Sequence, residues 1–167
     1  MRVELVLDVD DSDARELWPV YDAVFGDAEG IDEWRASVWD RHAARDGFTL
    51  ARARTDGELV GFAYGYTGAR GQWWTDAVAA AWPADLADEW LGGHFELVSI
   101  GVLGSARGQG VGAALLDSLT SVRAEPRQLL MTTSDPADPS RRLYGSRGWQ
   151  VVGAGLAPDQ VVLGRRC

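Results

Sequence analysis

The chain contains no lysine and no asparagine, one cysteine, two methionines and two histidines in 167 residues. Each scarcity excludes something. A single cysteine, Cys167 at the end of the sequence, forms no intrachain disulfide and builds no zinc cluster, which suits a reducing compartment. No neighbouring base in sequence activates that thiol. No stretch approaches about 18 consecutive apolar residues, so no membrane span is expected. The start, MRVELVLDVDDSD, turns acidic by Asp8 and lacks an apolar export core, so a cytoplasmic location is expected. All 16 basic residues are arginine, against 25 acidic ones, for a net charge of −9. That balance disfavours nonspecific binding to nucleic acid or to an anionic membrane. The avoidance of Lys and Asn codons suits a GC-rich, bacterial coding genome.

What is present is an ordinary globular composition, 46% hydrophobic and 25% charged, at a length that suits one domain spanning residues 1–167. Residues 3–9 read as a strand. The Asp10–Asp13 cluster supplies cap-type residues for a helix from about Ala14, with Leu17, Tyr21, Val24 and Phe25 at helical spacing and Gly26 as its stop. A second helix is expected over 31–45, with Ile31, Trp34, Val38 and His42 on one stripe. Asp56-Gly57 between two apolar runs, 48–54 and 58–67, is a hairpin signal. An Ala-rich helical segment follows over 73–90, broken by Pro83. Then come a strand (95–102), a glycine-rich turn (104–112), an amphipathic helix carrying Val111, Leu115 and Leu119, a strand (129–133), a short helix (140–147), and a closing strand pair (149–152 and 160–163). Hairpins mixed with strand–helix–strand units imply an α/β (α+β) fold, a mixed sheet with helices on its faces.

The turn at 104–112 carries the chemistry. A strand feeds glycines that open a helix, and the unpaired N–H groups at such a helix start, with its dipole, form an anion site. The natural guest is a phosphate or pyrophosphate. A Walker loop is excluded because it needs lysine, and Gly108, Gly110 and Gly112 miss the dinucleotide-binding spacing.

Arg107-x-x-Gly110-x-Gly112 after an apolar strand resembles the acetyl-CoA signature of the GCN5-related N-acetyltransferases (the GNAT family). Leu143-Tyr144-Gly145-Ser146-Arg147-Gly148-Trp149 is similar to that family's Leu-Tyr-x-x-x-Gly-Phe element, 34 positions downstream of Gly110. The joint resemblance covers about residues 93–152. It implies a GNAT-like acyltransferase fold with a mostly antiparallel mixed sheet and helices on both faces. Two parallel strands of that family splay apart to admit acetyl-CoA; here they would be 95–102 and 129–133.

The resemblance assigns cofactor binding to Val102 and to the backbone of Arg107, Gly108, Gln109, Gly110, Val111 and Gly112, with acetyl-CoA as cosubstrate and no metal. It makes Val102 the residue whose N–H meets the thioester carbonyl, where it would stabilise an oxyanion. Tyr144 matches the tyrosine that protonates the departing thiolate; a phenol, with an ordinary pKa near 10, keeps its proton at neutral pH. Glu96, six positions before Val102 on the same face of the strand, is a general base in several members. It reads equally as an exposed carboxylate at a strand start. His94 is a second base candidate, and Ser99, on the opposite face, receives no role. Where many members carry an asparagine seven residues before the tyrosine this chain has Ala137, which puts cofactor affinity in doubt; Asp135 and Asp138 are the nearby substitutes.

The expected activity is acetyl transfer to a primary amine of a small molecule or peptide. A non-catalytic CoA-binding module on the same fold is the alternative. The acceptor is expected near the Gly26–Gly30 connection and the 73–90 segment, whose Trp73, Trp74, Trp82 and Trp90 with Asp76, Asp85, Asp88 and Glu89 suit an amine with apolar bulk. The same segment also reads as a packed helix or a homodimer contact.

Overall fold

The computed structural model describes residues Met1–Cys167. Seven strands form one mixed sheet: β1 (Arg2–Val6), β2 (Thr49–Thr55), β3 (Glu58–Gly68), β4 (His94–Val102), β5 (Arg127–Thr133), β6 (Gln150–Ala154) and β7 (Gln160–Arg166). Their order is β1-β2-β3-β4-β5-β7-β6. The β4–β5 pair is parallel and only two residue pairs long, Phe95 with Gln128 and Glu96 with Leu129. Beyond Leu129, β5 is laddered antiparallel to β7 as far as Thr133 opposite Gln160. The helices are α1 (Asp11–Phe25), α2 (Ile31–Trp34), α3 (Asp40–Ala43), α4 (Trp73–Ala81), α5 (Ala84–Trp90), α6 (Val111–Ser121) and α7 (Pro139–Gly145), with a π-helical turn over Arg35–Trp39 joining α2 to α3. The chain divides into two compact units, residues 1–66 with 98–123 and residues 67–97 with 124–167.

In unit 1 the side-chain alternation of β3 assigns helices to the two faces. Phe62 and Tyr64 point into a cluster with Leu17, Tyr21, Trp34 and Trp39 from α1 and the α2–π–α3 segment. Gly61 points the other way, where an added Cβ would stand 3.2 Å from Leu115 and Val111 of α6. Asp56 and Gly57 both take positive φ, 52° and 86°, the geometry of a tight two-residue hairpin turn.

Two elements differ from the sequence expectation for identifiable reasons. β1 ends at Val6 and α1 begins at Asp11, three residues before Ala14. Asp10 accepts the Ser12 N–H at 2.7 Å, and Asp13 accepts the Asp10 N–H at 2.8 Å. This reciprocal box satisfies orphan donors early and starts the helix within the acidic cluster. The helix expected over 31–45 is interrupted: Asp40 N–H donates to Arg35 O, five residues back, which defines the π turn. The extra residue brings Trp39 under Trp34, ring centroids 5.4 Å apart. Trp39 is therefore buried in place of a strict Ile31–Trp34–Val38–His42 stripe.

Unit 2 has its own core. Trp74, Val78, Trp82 and Trp90 from α4 and α5 pack with Leu129 and Val162. The Trp82 indole donates to Ala154 O at 2.7 Å and lies where a Gly153 Cβ would stand, 2.4 Å away.

Candidate active site

Unit 1 supplies the end of β4 and the turn after it. Leu103 N–H donates to Val60 O, which fixes the strand end against β3. The chain then makes a single 3-10 turn over Gly104–Ala106. Arg107 folds its side chain back, Nε donating to Val102 O at 3.2 Å, and the Gln109 amide donates to Ser105 O at 3.0 Å. Gly108 and Gly110 take φ of 74° and 80°. Gly110 is the N-cap of α6 and makes no side-chain cap bond. The first backbone bond of the helix is Ala114 N–H to Gly110 O. The N–H groups of Val111, Gly112 and Ala113 therefore have no partner within the helix. An added Cβ at Gly108 or Gly110 would meet no protein atom within 4 Å. The glycines answer a backbone sign, have no protein atom within 4 Å of an added Cβ, and precede N–H groups without helix partners, a combination that suits an anion.

Unit 2 supplies Glu96 and Tyr144. Glu96 is 5% exposed, so the exposed strand-start reading fails. Burial of a carboxylate is retained where it is compensated or used. Tyr144, on α7, is 5% exposed and packs against Trp149, ring centroids 6.2 Å apart. Burial, reinforced by the Asp138 carboxylate, pushes its phenol up to about 12. Both effects disfavour the phenolate, so the hydroxyl keeps its proton through the physiological range. Asp138 N-caps α7, its Oδ1 accepting Ser140 N–H at 2.8 Å and Ser140 Oγ–H at 2.6 Å. Asp135 accepts Ala137 N–H at 2.9 Å. Both carboxylates near Ala137 are thus committed to local turns.

His94 is fully buried, with Trp74 nearby and Gly68 pressed so close that a Cβ there would lie 2.2 Å from the ring. Its Nδ1 accepts Gly92 N–H at 3.1 Å. Burial, with the Arg127 charge second, pushes the imidazolium down to about 4. It is a neutral packing residue of unit 2. The indoles expected to line an acceptor site also turn inward: Trp74, Trp82 and Trp90 are buried and only Trp73 is exposed, at 72%. At the other expected acceptor segment, Tyr21 Oη donates to Asp27 Oδ2 at 3.2 Å.

Two features were missed from sequence. The exposed Arg107 side chain donates to Val102 O, where only loop backbone was expected to act; an arginine five residues past a strand end is the available signal. His42 is half-buried with Nδ1 3.1 Å from Tyr64 Oη, and burial pushes it down to about 4. No local pattern pairs residues 22 apart.

A family model for the acetyltransferase (GNAT) family matches residues 12–149. The chain belongs to that family. It is 28% identical over 149 residues to a GCN5-like protein acetyltransferase of Mycobacterium tuberculosis, covering 72% of each chain. Among solved structures, the fold is similar to the ribosomal-protein-S18-alanine N-acetyltransferase of Escherichia coli, at TM-score 0.65, 14% identity and coverage of 99% of this chain and 94% of that one. It is also similar to the PaiA N-acetyltransferase of Thermoplasma acidophilum in complex with coenzyme A, at TM-score 0.63, 12% identity and full coverage of both chains. GNAT membership and fold make the protein an acetyltransferase of a family that binds acetyl-CoA. No helix is long and apolar enough to cross a membrane.

Proposed function

We propose that this GNAT protein is a single-domain, acetyl-CoA-dependent N-acetyltransferase that acetylates a primary amine of a small molecule or peptide. The observation that carries the reading is the α6 start, with two positive-φ glycines, uncapped N–H donors and no protein atom within 4 Å of a Cβ at either glycine. These residues fit the pyrophosphate of a CoA ester: backbone donors at a helix N-terminus bind it without needing a lysine, which the chain lacks. When bound, acetyl-CoA supplies an acyl carbon activated as a thioester.

The chain's own residues then have these roles. Gly108 to Ala113 hold the phosphates by backbone N–H groups. The Arg107 side chain donates to Val102 O at the end of β4, and the Val102 N–H is the oxyanion donor. Glu96 takes a proton from the incoming ammonium, directly or through water, and the neutral amine so formed attacks the thioester carbon. Tyr144, protonated because its pKa lies near 12, donates to the leaving sulfur and regains its proton from solvent. With Asp135 and Asp138 committed to turns, the pantetheine arm is held by backbone more than by an amide at position 137.

Thiol release from acetyl-CoA across a panel of primary amines and peptides tests the reading. Amine-dependent release is expected. CoA binding with no release on any amine would leave the non-catalytic module in its place.

A further inference from the structure

Unit 2 contains a cavity of about 590 Å³ that the acetyl-transfer reading does not use. Its lining includes Trp90 at the end of α5, Arg147 after α7, Gln150 and Val152 on β6, and Arg165 and Arg166 on β7. In a chain of net charge −9, three arginines meet at one cavity, and no Asp or Glu side chain lines it; the one carboxylate among the lining residues is the terminal group of Cys167.

Arg165 carries the argument. It is half-buried, and its position is built. Nε donates at 2.8 Å to Oε1 of Gln128, whose own side chain is fully buried. Nη1 donates to Arg147 O at 3.1 Å, and the guanidinium stands over the Trp149 ring at 5.2 Å. Each of these partners is neutral: an amide oxygen, a peptide carbonyl and a ring face. Nη2 takes no part in these contacts. No acidic side chain is among these contacts, so the guanidinium keeps donor capacity for a bound anion. The planar fork is also oriented in advance, which suits bidentate capture of a carboxylate or phosphate. Arg166 differs: it pairs with Glu89 and lies 4.7 Å over the Trp90 ring, which braces that wall. The cavity is far larger than the roughly 30 Å³ of one water and falls in the ~300–1,000 Å³ range of small-molecule sites.

We propose that this cavity is a binding site for a small organic polyanion, a di- or tricarboxylate or a phosphate monoester, whose oxyanion docks on Arg165 between Arg147 and Arg166. The site belongs to unit 2 alone and does not depend on the catalytic reading.

The test is calorimetric titration of the full chain with citrate and, separately, with glucose 6-phosphate, glucose being the neutral control. Each titration is run with and without saturating CoA, which fills the α6 turn. One site per chain is expected for at least one probe, weakened by salt and absent for glucose. Arg165→Gln should weaken it tenfold or more. Gln150→Glu, at an exposed edge position, should do the same by repulsion without disturbing the core. The two probes separate carboxylate from phosphate chemistry. No heat with either probe at millimolar concentration would overturn the proposal, as would binding unchanged in both variants. Binding abolished by CoA would place the anion at α6 and also overturn it. Should Arg165→Gln fail to fold, Gln150→Glu decides alone.

Discussion

Replacing Gly110 with alanine separates the cost to the fold from the cost to the ligand. The residue sits at φ 80°, and a Cβ there meets no protein atom within 4 Å. The fold therefore loses only the left-handed backbone penalty, about 1–2 kcal/mol for a non-glycine residue. For a chain of this size that lowers Tm by roughly 2–8 °C. On the proposed placement of the phosphates the ligand loses more, because the methyl stands where they approach the α6 N-cap. Losing one charge-assisted hydrogen bond costs about 1.5–3 kcal/mol, or roughly 10- to 150-fold in affinity. Gly104→Ala is the internal control: it lies in the same turn, also has no atom within 4 Å of its Cβ, and has no positive φ. Acetyl-CoA titration, paired with a thermal melt of each apo variant, reads both costs. Expected are a large affinity loss in Gly110→Ala, a larger one in Gly110→Val, and neither loss in Gly104→Ala. A folded Gly110→Ala protein that binds acetyl-CoA as tightly as wild type would refute the assignment of α6 as the phosphate site.

Three further outcomes are expected. Tyr144→Phe keeps the packing on Trp149 and should cut turnover by roughly 10²–10⁴ while leaving acetyl-CoA affinity intact; wild-type turnover would reduce Tyr144 to a core residue. Glu96→Gln should flatten part of the acid limb of the pH–rate profile, and a profile superimposable on wild type would remove Glu96 from the base role. His94 and His42 are both pushed from an ordinary 6.5 down to about 4, so the unfolded chain takes up their protons first as pH falls. Stability is fully present above about pH 6.5 and is lost as pH falls toward 4, by about 3 kcal/mol for the fully buried His94. His94→Gln should flatten that dependence in melts from pH 7 to 4; an unchanged slope would show that the imidazole is not what titrates.

The parts of the fold legible in the sequence are those fixed by adjacent residues. Asp56-Gly57 marked a hairpin because both positions needed positive φ, and Gly26 marked the end of α1 for the same reason. The glycines at 108 and 110 mark the α6 start because both take positive φ. Tertiary placement was legible only in part. Trp39 is buried by a π turn that no periodicity of 3.6 anticipates. Glu96 is buried because it lies inside the short parallel ladder with Leu129, a long-range pairing. The four insert tryptophans had the composition of an acceptor wall, yet three are core. Arg147 and Arg165 meet because β6 and β7 pair antiparallel with Gln150 opposite Gly164, a register that the sequence does not state.

The central claim is acetyl transfer to an amine nitrogen, and product identity tests it most directly. The enzyme is incubated with isotopically labelled acetyl-CoA and the best acceptor from the amine panel, and the product is analysed by tandem mass spectrometry alongside thiol release. The account predicts one labelled acetyl group on nitrogen for each thiol released, with Tyr144→Phe lowering both signals together. Thiol release with label appearing only as free acetate, on every amine tried, would contradict it.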